Sequence, residues 1–238
     1  MKLDILVLAA HPDDAELGCG GTIAKHVHLG YKVGVVDFTR GELGTRGNAQ
    51  TRNEEASEAA KILGLSIREN LDLRDGFFRH SESEILKVVE AVRQYQPEVV
   101  LSNASSDRHP DHAKGADLAY EGCFLAGLSK IETTRDGKLQ RAWRPKQFYH
   151  YIQSQLIMPH FVVDVSDYWE KKMDAVKAYK TQFFNPSSHE PETYISKPSF
   201  LTFLQSRAEE LGHGINAKYG EGFTTRAFIG VDNLFQLK

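Results

Sequence analysis

Residues 5–14 read Ile-Leu-Val-Leu-Ala-Ala-His-Pro-Asp-Asp, an apolar run that passes directly into a histidine and two aspartates. Such a run is typical of a buried strand in a parallel sheet, where helices cover both faces. The proline at position 12 favours an extended backbone at His11 and fixes its own φ angle, so the chain can turn there from strand into helix. This stretch therefore predicts the first strand of an α/β sheet, with polar side chains at its carboxyl end.

A second stretch, about a hundred residues later, has the same plan. The strand-like run 99–103 is followed by His109-Pro110-Asp111-His112. The carboxyl ends of parallel strands meet at one edge of an open sheet, where ligands bind. The two motifs therefore predict a shared site with three histidines and three aspartates. Such a set suits a divalent metal, with zinc as the first choice and iron or manganese as alternatives.

Spacing alone does not decide which of these groups would be ligands. His11 and Asp14 are three residues apart across the expected turn, so both could reach one ion, and His109, Asp111 or His112 could supply a third ligand. Three protein ligands leave a position open for water, as in catalytic zinc sites. An aspartate that follows a strand also often caps the next helix, so a capping role for Asp13 or Asp14 stays open at this point.

Strand and helix patterns alternate over the first 130 residues. Strands are predicted over 4–10, 32–38, 69–73 and 98–103, and helices over 16–29, 51–63, 83–95 and about 113–128. This order predicts a Rossmann-like α/β fold, with a mostly parallel sheet and helices on both faces.

The remainder of the chain is less regular and predicts a C-terminal elaboration of the same domain. We expect short strands at 148–152 and 161–165, helices at 167–179 and 200–211, and an irregular loop over 181–198. Linkers and repeats are absent from the sequence, which favours a single domain over residues 1–238.

Composition excludes several classes of function. The formal net charge of −3 offers no basic face for nucleic acid. Neither a membrane-spanning apolar run nor a signal-peptide pattern is present, and two cysteines without a CxxC motif favour reduced thiols. We therefore expect a cytoplasmic protein with no membrane or nucleic-acid partner. Gly18-Cys19-Gly20-Gly21 is not a dinucleotide fingerprint, because Ile23 stands where G-x-G-x-x-G needs its third glycine.

The motifs resemble those of a known family. Residues 10–22, Ala-His-Pro-Asp-Asp-Ala-Glu-Leu-Gly-Cys-Gly-Gly-Thr, resemble the signature of the LmbE/PIG-L zinc-dependent N-deacetylases. Residues 109–112 resemble the second motif of that family, and residues 39–44 resemble the loop after its second strand. Within the family, overall similarity, including the regions of Asn185-Pro186 and Tyr194, points toward the members that deacetylate N-acetylglucosaminyl-malate in bacillithiol biosynthesis.

The resemblance implies roles for individual residues. It implies one zinc ion per chain on His11, Asp14 and His112, with Asp13 as the general base. It further implies that His109 assists at the carbonyl or the leaving group, that Asp111 orients a histidine, and that Tyr194 donates to the oxyanion. Arg52 matches an arginine that holds the sugar. A homo-oligomer, such as a hexamer, is also implied.

Three further residues are candidates for substrate binding. Glu42 and Arg46 lie in a glycine-rich loop at the expected edge of the sheet, and Arg108 directly precedes the second motif. Arg46, Arg52 and Arg108 could pair with carboxylates of a malate group.

Zinc-dependent removal of acetate from an N-acetylglucosaminyl substrate, the malate conjugate above all, is the predicted function. Other N-acetylglucosamine conjugates or chitooligosaccharides are alternative substrates. A nucleotide-binding oxidoreductase or transferase, and a non-catalytic sugar-binding protein, are alternatives of other classes on the same fold. A two-metal phosphoesterase ranks lower, because it would need more ligands than the sequence offers.

Overall fold

The computed structural model describes residues 1–236, and in it the N-terminal apolar run forms strand β1 (Ile5–Ala9) of a seven-stranded sheet. The other elements of the first half are α1 (Asp14–His28), β2 (Val33–Thr39), α2 (Ala49–Leu63), β3 (Ile67–Leu73), α3 (Glu82–Tyr95), β4 (Val99–Ser102) and α4 (Pro110–Ala126). The second half contains β5 (Thr134–Arg135), β6 (Lys138–Leu139), β7 (Gln147–Tyr151), β8 (Phe161–Asp164), α5 (Trp169–Lys177), α6 (Pro198–His213) and β9 (Gly220–Thr225), with short 3₁₀ turns at Ser166–Tyr168 and Leu234–Gln236.

Strand order places the two motif-bearing strands side by side. The sheet runs β3-β2-β1-β4-β7-β9-β8, and β1 pairs in parallel with both β2 and β4. The chain leaves β1 toward β2 and later returns to β1's other side as β4, which creates a crevice at their carboxyl ends. This is the switch point at which open α/β sheets bind ligands. The predicted α/β fold with a mostly parallel sheet is confirmed.

Alternate residues of β1 supply two separate cores. Ile5, Val7 and Ala9 pack with buried residues of α1, α2 and α5, whereas Leu6 and Leu8 pack with those of α3 and α4. A strand has a side-chain period of two, so a fully apolar strand serves both layers. The expected helices on both faces are therefore present.

The last strand of the sheet was not predicted from the sequence. Residues 220–225, Gly-Glu-Gly-Phe-Thr-Thr, lack apolar alternation, yet they form β9 between β7 and β8 and run antiparallel to both. A Cβ built on Gly220 would lie 2.8 Å from the backbone nitrogen of Gly212. Glycine at 220 therefore lets α6 cross close to the strand, and tertiary packing outweighs the weak strand propensity.

Helix α1 is interrupted just after the first motif. Cys19 has non-helical angles, φ −145° and ψ 23°, and the helix restarts beyond it. The Glu221 carboxylate of β9 accepts the backbone N–H groups of Gly21 and Thr22 at 2.9 and 2.7 Å. Glu221 of the C-terminal elaboration thus caps α1 where the helix restarts. The first turn of α1, which contains Asp14 of the first motif, is thereby held at a different angle from the rest of the helix.

Cys19 and Cys123 are both free and buried. Within the described range, 1–236, the helices are too short or too polar to cross a bilayer.

Candidate metal centre and active site

The two motifs meet at the switch point between β1 and β4. His11 follows β1, Asp14 begins α1, and His109 and His112 lie at the start of α4. His11, Asp14, His109 and His112 all line one cavity of about 290 Å³. The predicted convergence of the motifs is therefore present.

Asp14 lies between two of the histidines. Its carboxylate is 3.0 Å from Nε2 of His112 and 3.4 Å from Nδ1 of His11. Asn103 and Gln153 also donate to this carboxylate, at 3.0 and 2.9 Å. These contacts fix both carboxylate oxygens of Asp14 in the space between the two imidazoles.

A second carboxylate holds the outward nitrogen of each imidazole. Nδ1 of His112 contacts Asp107 at 2.6 Å, and Nε2 of His11 contacts Asp75 at 3.1 Å and Asp111 at 3.4 Å. Histidines that bind metals commonly donate their distal N–H to a carboxylate, which orients the ring and makes the ligating nitrogen more basic. Both rings have this arrangement, so the side chains fit a divalent metal.

The electrostatics of the cluster also favour a cation. Burial opposes a charge on His112, but Asp14 and Asp107 outweigh it and raise the pKa of His112 to about 9. Burial likewise opposes a charge on His11, yet hydrogen bonds to Asp111, Asp14 and Asp75 raise its pKa well above its ordinary value. The buried carboxylates therefore require positive charge among them, which protons or a metal can supply.

Two groupings of ligand atoms are close enough for a single ion. Ring nitrogens of His11, His109 and His112 lie within 4.8 Å of one another, and so do ligand atoms of His11, Asp75 and Asp111. His11 belongs to both groupings, and Asp14 contacts His11 and His112. The geometry thus allows His109 as an alternative third ligand to Asp14.

His109 has a different environment from the other two histidines. Its Nδ1 accepts the backbone N–H of Asp111 at 3.3 Å, which leaves Nε2 as the protonated nitrogen of the neutral ring. Burial and the charges of His11 and His112 lower the pKa of His109. A neutral imidazole with its Nε2–H free of the backbone can donate a hydrogen bond to a reacting oxygen or nitrogen.

Asp13 occupies a strained backbone position beside the cluster. Its φ is 108°, and its carboxylate accepts a hydrogen bond from Arg52 at 3.1 Å. Arg52 also donates to the carbonyl oxygen of Pro12. Burial raises the pKa of Asp13 to about 7 despite the opposing charge of Arg52. An aspartate with this pKa can take up and release a proton near neutral pH.

Gly41 makes room for this arginine. A Cβ at Gly41 would lie 2.1 Å from Nη1 of Arg52, and the φ of Gly41 is +62°. The glycine-rich loop after β2 therefore serves the site by letting Arg52 approach Asp13.

Of the four candidate substrate-binding residues, two line the cavity and two do not. Arg52 and Arg108 line the cavity, and the Arg108 guanidinium lies 4.3 Å from the ring centroid of Tyr194. Tyr194 is 41% exposed and adjoins Ile195, which lines the cavity. Arg108 and Tyr194 thus lie together at the mouth.

Glu42 and Arg46 point to other partners. Glu42 accepts the backbone N–H of Asp75 at 2.8 Å and so supports the loop that holds His11. Arg46 donates to Ser188 at 2.7 Å and lies 3.5 Å from Glu190. The structure therefore does not bring these two side chains to the metal cluster.

Several residues of the site were missed by the sequence analysis. Each follows a parallel strand: Asp75 follows β3, Asn103 and Asp107 follow β4, and Gln153 follows β7. The rule that placed the two motifs at strand ends would have selected these polar residues too, but they lack a recognisable motif.

Asp37 bears on the nucleotide-binding alternative. It lies in β2, where a ribose-binding acid is expected, but it is 2% exposed and accepts two hydrogen bonds from Arg68, at 2.8 and 3.0 Å. Arg68 also pairs with Glu16. Asp37 is therefore part of a buried ion network and not a free ribose ligand.

Comparison with known proteins identifies the family. The model of the PIG-L family, described as GlcNAc-PI de-N-acetylase, matches residues 6–123. The conserved protein TT1542 from Thermus thermophilus has a TM-score of 0.85 and 33% identity, over 97% of this chain and 98% of that chain.

Curated relatives include enzymes of two kinds. The diacetylchitobiose deacetylase of Thermococcus kodakarensis is 29% identical over 75% of this chain and 70% of its own length. The 4-oxalmesaconate hydratase of Pseudomonas putida is 30% identical over 74% of this chain and 73% of its own length. A more distant relative, the probable N-acetyl-α-D-glucosaminyl L-malate deacetylase 2 of Bacillus subtilis, is 26% identical over 76% and 84%. The chain belongs to the PIG-L (LmbE-like) deacetylase family.

Proposed function

We propose that this member of the PIG-L family hydrolyses the N-acetyl group of an N-acetylglucosaminyl substrate, with zinc as its metal. N-acetyl-α-D-glucosaminyl L-malate, the substrate named for the Bacillus subtilis relative, is the first candidate. Diacetylchitobiose, named for the Thermococcus relative, is the second. The carrying observation is the pair of imidazoles that share Asp14, each held from outside by a carboxylate, beside the buried Asp13.

We propose His11, Asp14 and His112 as the ligands of the zinc ion. The donor set of two imidazoles and one carboxylate is that of hydrolytic zinc sites. When bound, the ion would polarise the acetamide carbonyl and increase the acidity of water.

Asp13 is proposed as the general base. Its carboxylate is oriented by Arg52, and burial places its pKa close to neutral pH. It can therefore remove a proton from water as the water attacks the acetamide carbon, and return the proton to the amine when acetate leaves.

His109 is proposed to assist at the same carbon. Its neutral ring carries the proton on Nε2, so it can donate to the oxyanion or to the leaving nitrogen. Asp111 is proposed to orient His11, to which it lies 3.4 Å away. Tyr194 is proposed to close over the mouth of the cavity and donate a second hydrogen bond, and its support is its exposed position in an irregular loop beside Arg108.

Amine release tests this function directly. Protein loaded with zinc and protein treated with a chelator are each incubated with the malate conjugate, diacetylchitobiose and free N-acetylglucosamine. Fast, zinc-dependent release from the malate conjugate supports the full proposal. Faster release from diacetylchitobiose keeps the deacetylase and replaces the substrate. Absence of release from all three, with zinc bound, contradicts it.

Hydration of a carbon–carbon double bond is the second candidate function. Its support is the Pseudomonas putida hydratase, a relative with similar identity and coverage to the deacetylase. The same zinc-loaded protein is incubated with 4-oxalmesaconate while the absorbance of the conjugated acid is followed. Loss of this absorbance without any deacetylation would favour the hydratase.

We also propose that residues 1–238 act as one domain, in a cytoplasmic homo-oligomer. Two free thiols suit a reducing compartment. Phe228 and Phe235 are fully exposed near the C-terminus, and large exposed apolar side chains of this kind favour burial against another copy. Light scattering of the full chain, and of a chain truncated after Arg226, tests the oligomer: the full chain should have a multiple of the monomer mass.

A further inference from the structure

The cavity extends from the metal cluster to a second wall formed by the C-terminal elaboration. This far wall is mostly apolar, and its lining residues include Ile152, Phe200, Phe203, Leu204 and Leu211. The proposed reaction places the acetamide group at the metal cluster. The far wall is therefore available to the group attached to the sugar.

One cation, Arg207 of α6, lies in this apolar wall. It lines the cavity, and its guanidinium lies 5.1 Å from the ring centroid of Phe203. Its Nη1 is buried, and within residues 1–236 this atom has no hydrogen-bond partner. A buried guanidinium N–H without an acceptor is unfavourable, and an anionic ligand that drew the guanidinium toward the cavity would relieve it.

The other cations of the cavity differ from Arg207. Arg52 also has a buried nitrogen without a partner within residues 1–236, Nε, but its charge is paired with Asp13 at 3.1 Å. Lys172 is paired with Glu221 at 2.6 Å. Glu221 accepts from Lys172 and from the backbone of α1, and within residues 1–236 it forms no ion pair with Arg207. Arg108 is exposed at the mouth. Arg207 therefore combines a buried donor nitrogen with a charge that has no ion-pair partner among the described residues.

We infer that Arg207 binds an anionic group on the aglycone of the substrate, while the apolar wall packs along the short carbon chain that carries it. This inference rests on the proposed deacetylase function. A neutral aglycone, such as a second sugar, would leave the charge of Arg207 unmatched. A carboxylate supplies an acceptor in the planar geometry that guanidinium groups recognise, and a phosphate shares the chemistry.

The test compares substrates that differ in charge. The kcat/KM values are measured for N-acetylglucosaminyl-malate, for a phosphate-bearing N-acetylglucosaminide and for the neutral methyl glycoside. Arg207→Gln and Arg207→Lys are the variants, and Arg141→Gln, an exposed arginine outside the cavity, is the matched control. In Arg207→Gln we expect the kcat/KM for the malate conjugate, divided by that for the methyl glycoside, to fall about 10- to 100-fold, mostly through KM. Arg207→Lys should recover part of the ratio, and Arg141→Gln should keep it.

Equilibrium binding provides a readout that does not need turnover. The malate conjugate is titrated calorimetrically into Asp13→Asn, which should bind without reacting, and into Asp13→Asn combined with Arg207→Gln. A rise in Kd of about 10- to 100-fold, by the same reasoning, supports the inference. An unchanged substrate ratio and Kd, in a variant with an unchanged Tm, would overturn it. If the phosphate conjugate depends on Arg207 and the malate conjugate does not, the carboxylate assignment is wrong. Absence of hydrolysis of all substrates refutes the proposed function instead, and the binding titration still decides whether Arg207 selects anions.

Discussion

The wall of the cavity formed by β1, β4 and the first turns of α1 and α4 is crowded with paired polar groups, whereas the wall formed by α6 and β9 is largely apolar. In the first wall, His11, Asp14 and His112 each have partners at both ends of the polar group. In the second wall, Arg207 has a buried nitrogen for which residues 1–236 offer no acceptor. A wall whose polar groups are fixed can orient a reaction, while a wall with one unmatched charge can select a substrate.

The largest expected effect is at Asp13. Asp13→Asn should lower kcat about 10²- to 10⁴-fold, because the amide cannot act as a base, while asparagine tolerates the left-handed φ of 108°. Steady-state kinetics and zinc content are measured together, with Asp136→Asn as the control, since Asp136 is exposed and also has a positive φ of 51°. Near-native kcat in Asp13→Asn would show that Asp13 is not the general base.

The next-largest effect distinguishes a zinc ligand, His112, from a neighbouring histidine, His109, in the first wall. His112→Ala should weaken zinc binding at least about 100-fold, because even the loss of a residue behind a ligand costs about 10- to 100-fold. His109→Ala should keep zinc and lose about 10²- to 10³-fold in kcat, as expected for an oxyanion donor. Elemental analysis after dialysis against a zinc buffer measures the zinc content of both variants, and steady-state kinetics measures kcat. Zinc loss in His109→Ala equal to that in His112→Ala would make His109 the third ligand.

A smaller effect is expected at Gly41, which admits Arg52 to the first wall. Gly41→Ala should lower kcat/KM about 10- to 100-fold, because the new Cβ would displace Arg52 and thereby Asp13. Gly30→Ala is the matched control, since Gly30 also has a positive φ, +89°, but open space at its Cβ. Both variants should lose about 1 to 2 kcal/mol in the free energy of unfolding. Equal activity in the two variants would show that position 41 needs glycine for its backbone conformation and not to make room for Arg52.

The smallest effect concerns a histidine outside the metal cluster. Burial lowers the pKa of His150, whose Nδ1 donates to the carbonyl oxygen of Asn103 at 2.7 Å. Below about pH 6.5 His150 therefore takes up a proton in the unfolded chain but resists it in the folded chain. The stabilisation that is present above that pH is consequently lost as the pH falls through the pKa of His150 in the folded chain.

Chemical denaturation between pH 7.5 and 5 tests this linkage. The free energy of unfolding should fall less steeply in His150→Gln than in the parent protein, by up to about 1.4 kcal/mol per pH unit. Identical slopes would mean that His150 does not titrate differently in the folded and unfolded chains.

The first wall could be predicted from the sequence to a large extent. The two motifs identify the three histidines and three aspartates, and the strand patterns before the motifs locate these residues at the edge of a sheet. Asp75, Asp107 and Gln153 were missed because a single polar residue after a strand does not differ, in sequence, from an ordinary loop residue. Their importance arises from contacts with His11, His112 and Asp14, two of which span more than sixty residues of sequence.

The second wall could not be predicted in the same way. Residues 220–225 lack a strand pattern, and β9 exists because β7 and β8 offer edges on both sides of it. Arg207 lies in the predicted helix 200–211, where an arginine is ordinarily solvent-exposed. The burial of its Nη1 depends on where α6 crosses β9, and the glycines that permit this crossing carry no signal of their own.

The sequence by itself determined the parallel sheet, its layers and the chemistry of its edge, because periodic apolar runs and short polar motifs act locally. Tertiary structure decided which strands became neighbours, which carboxylate holds each imidazole and which arginine lies in the apolar wall of the cavity. These are outcomes of packing between distant segments, where the burial of one group depends on the position of all the others.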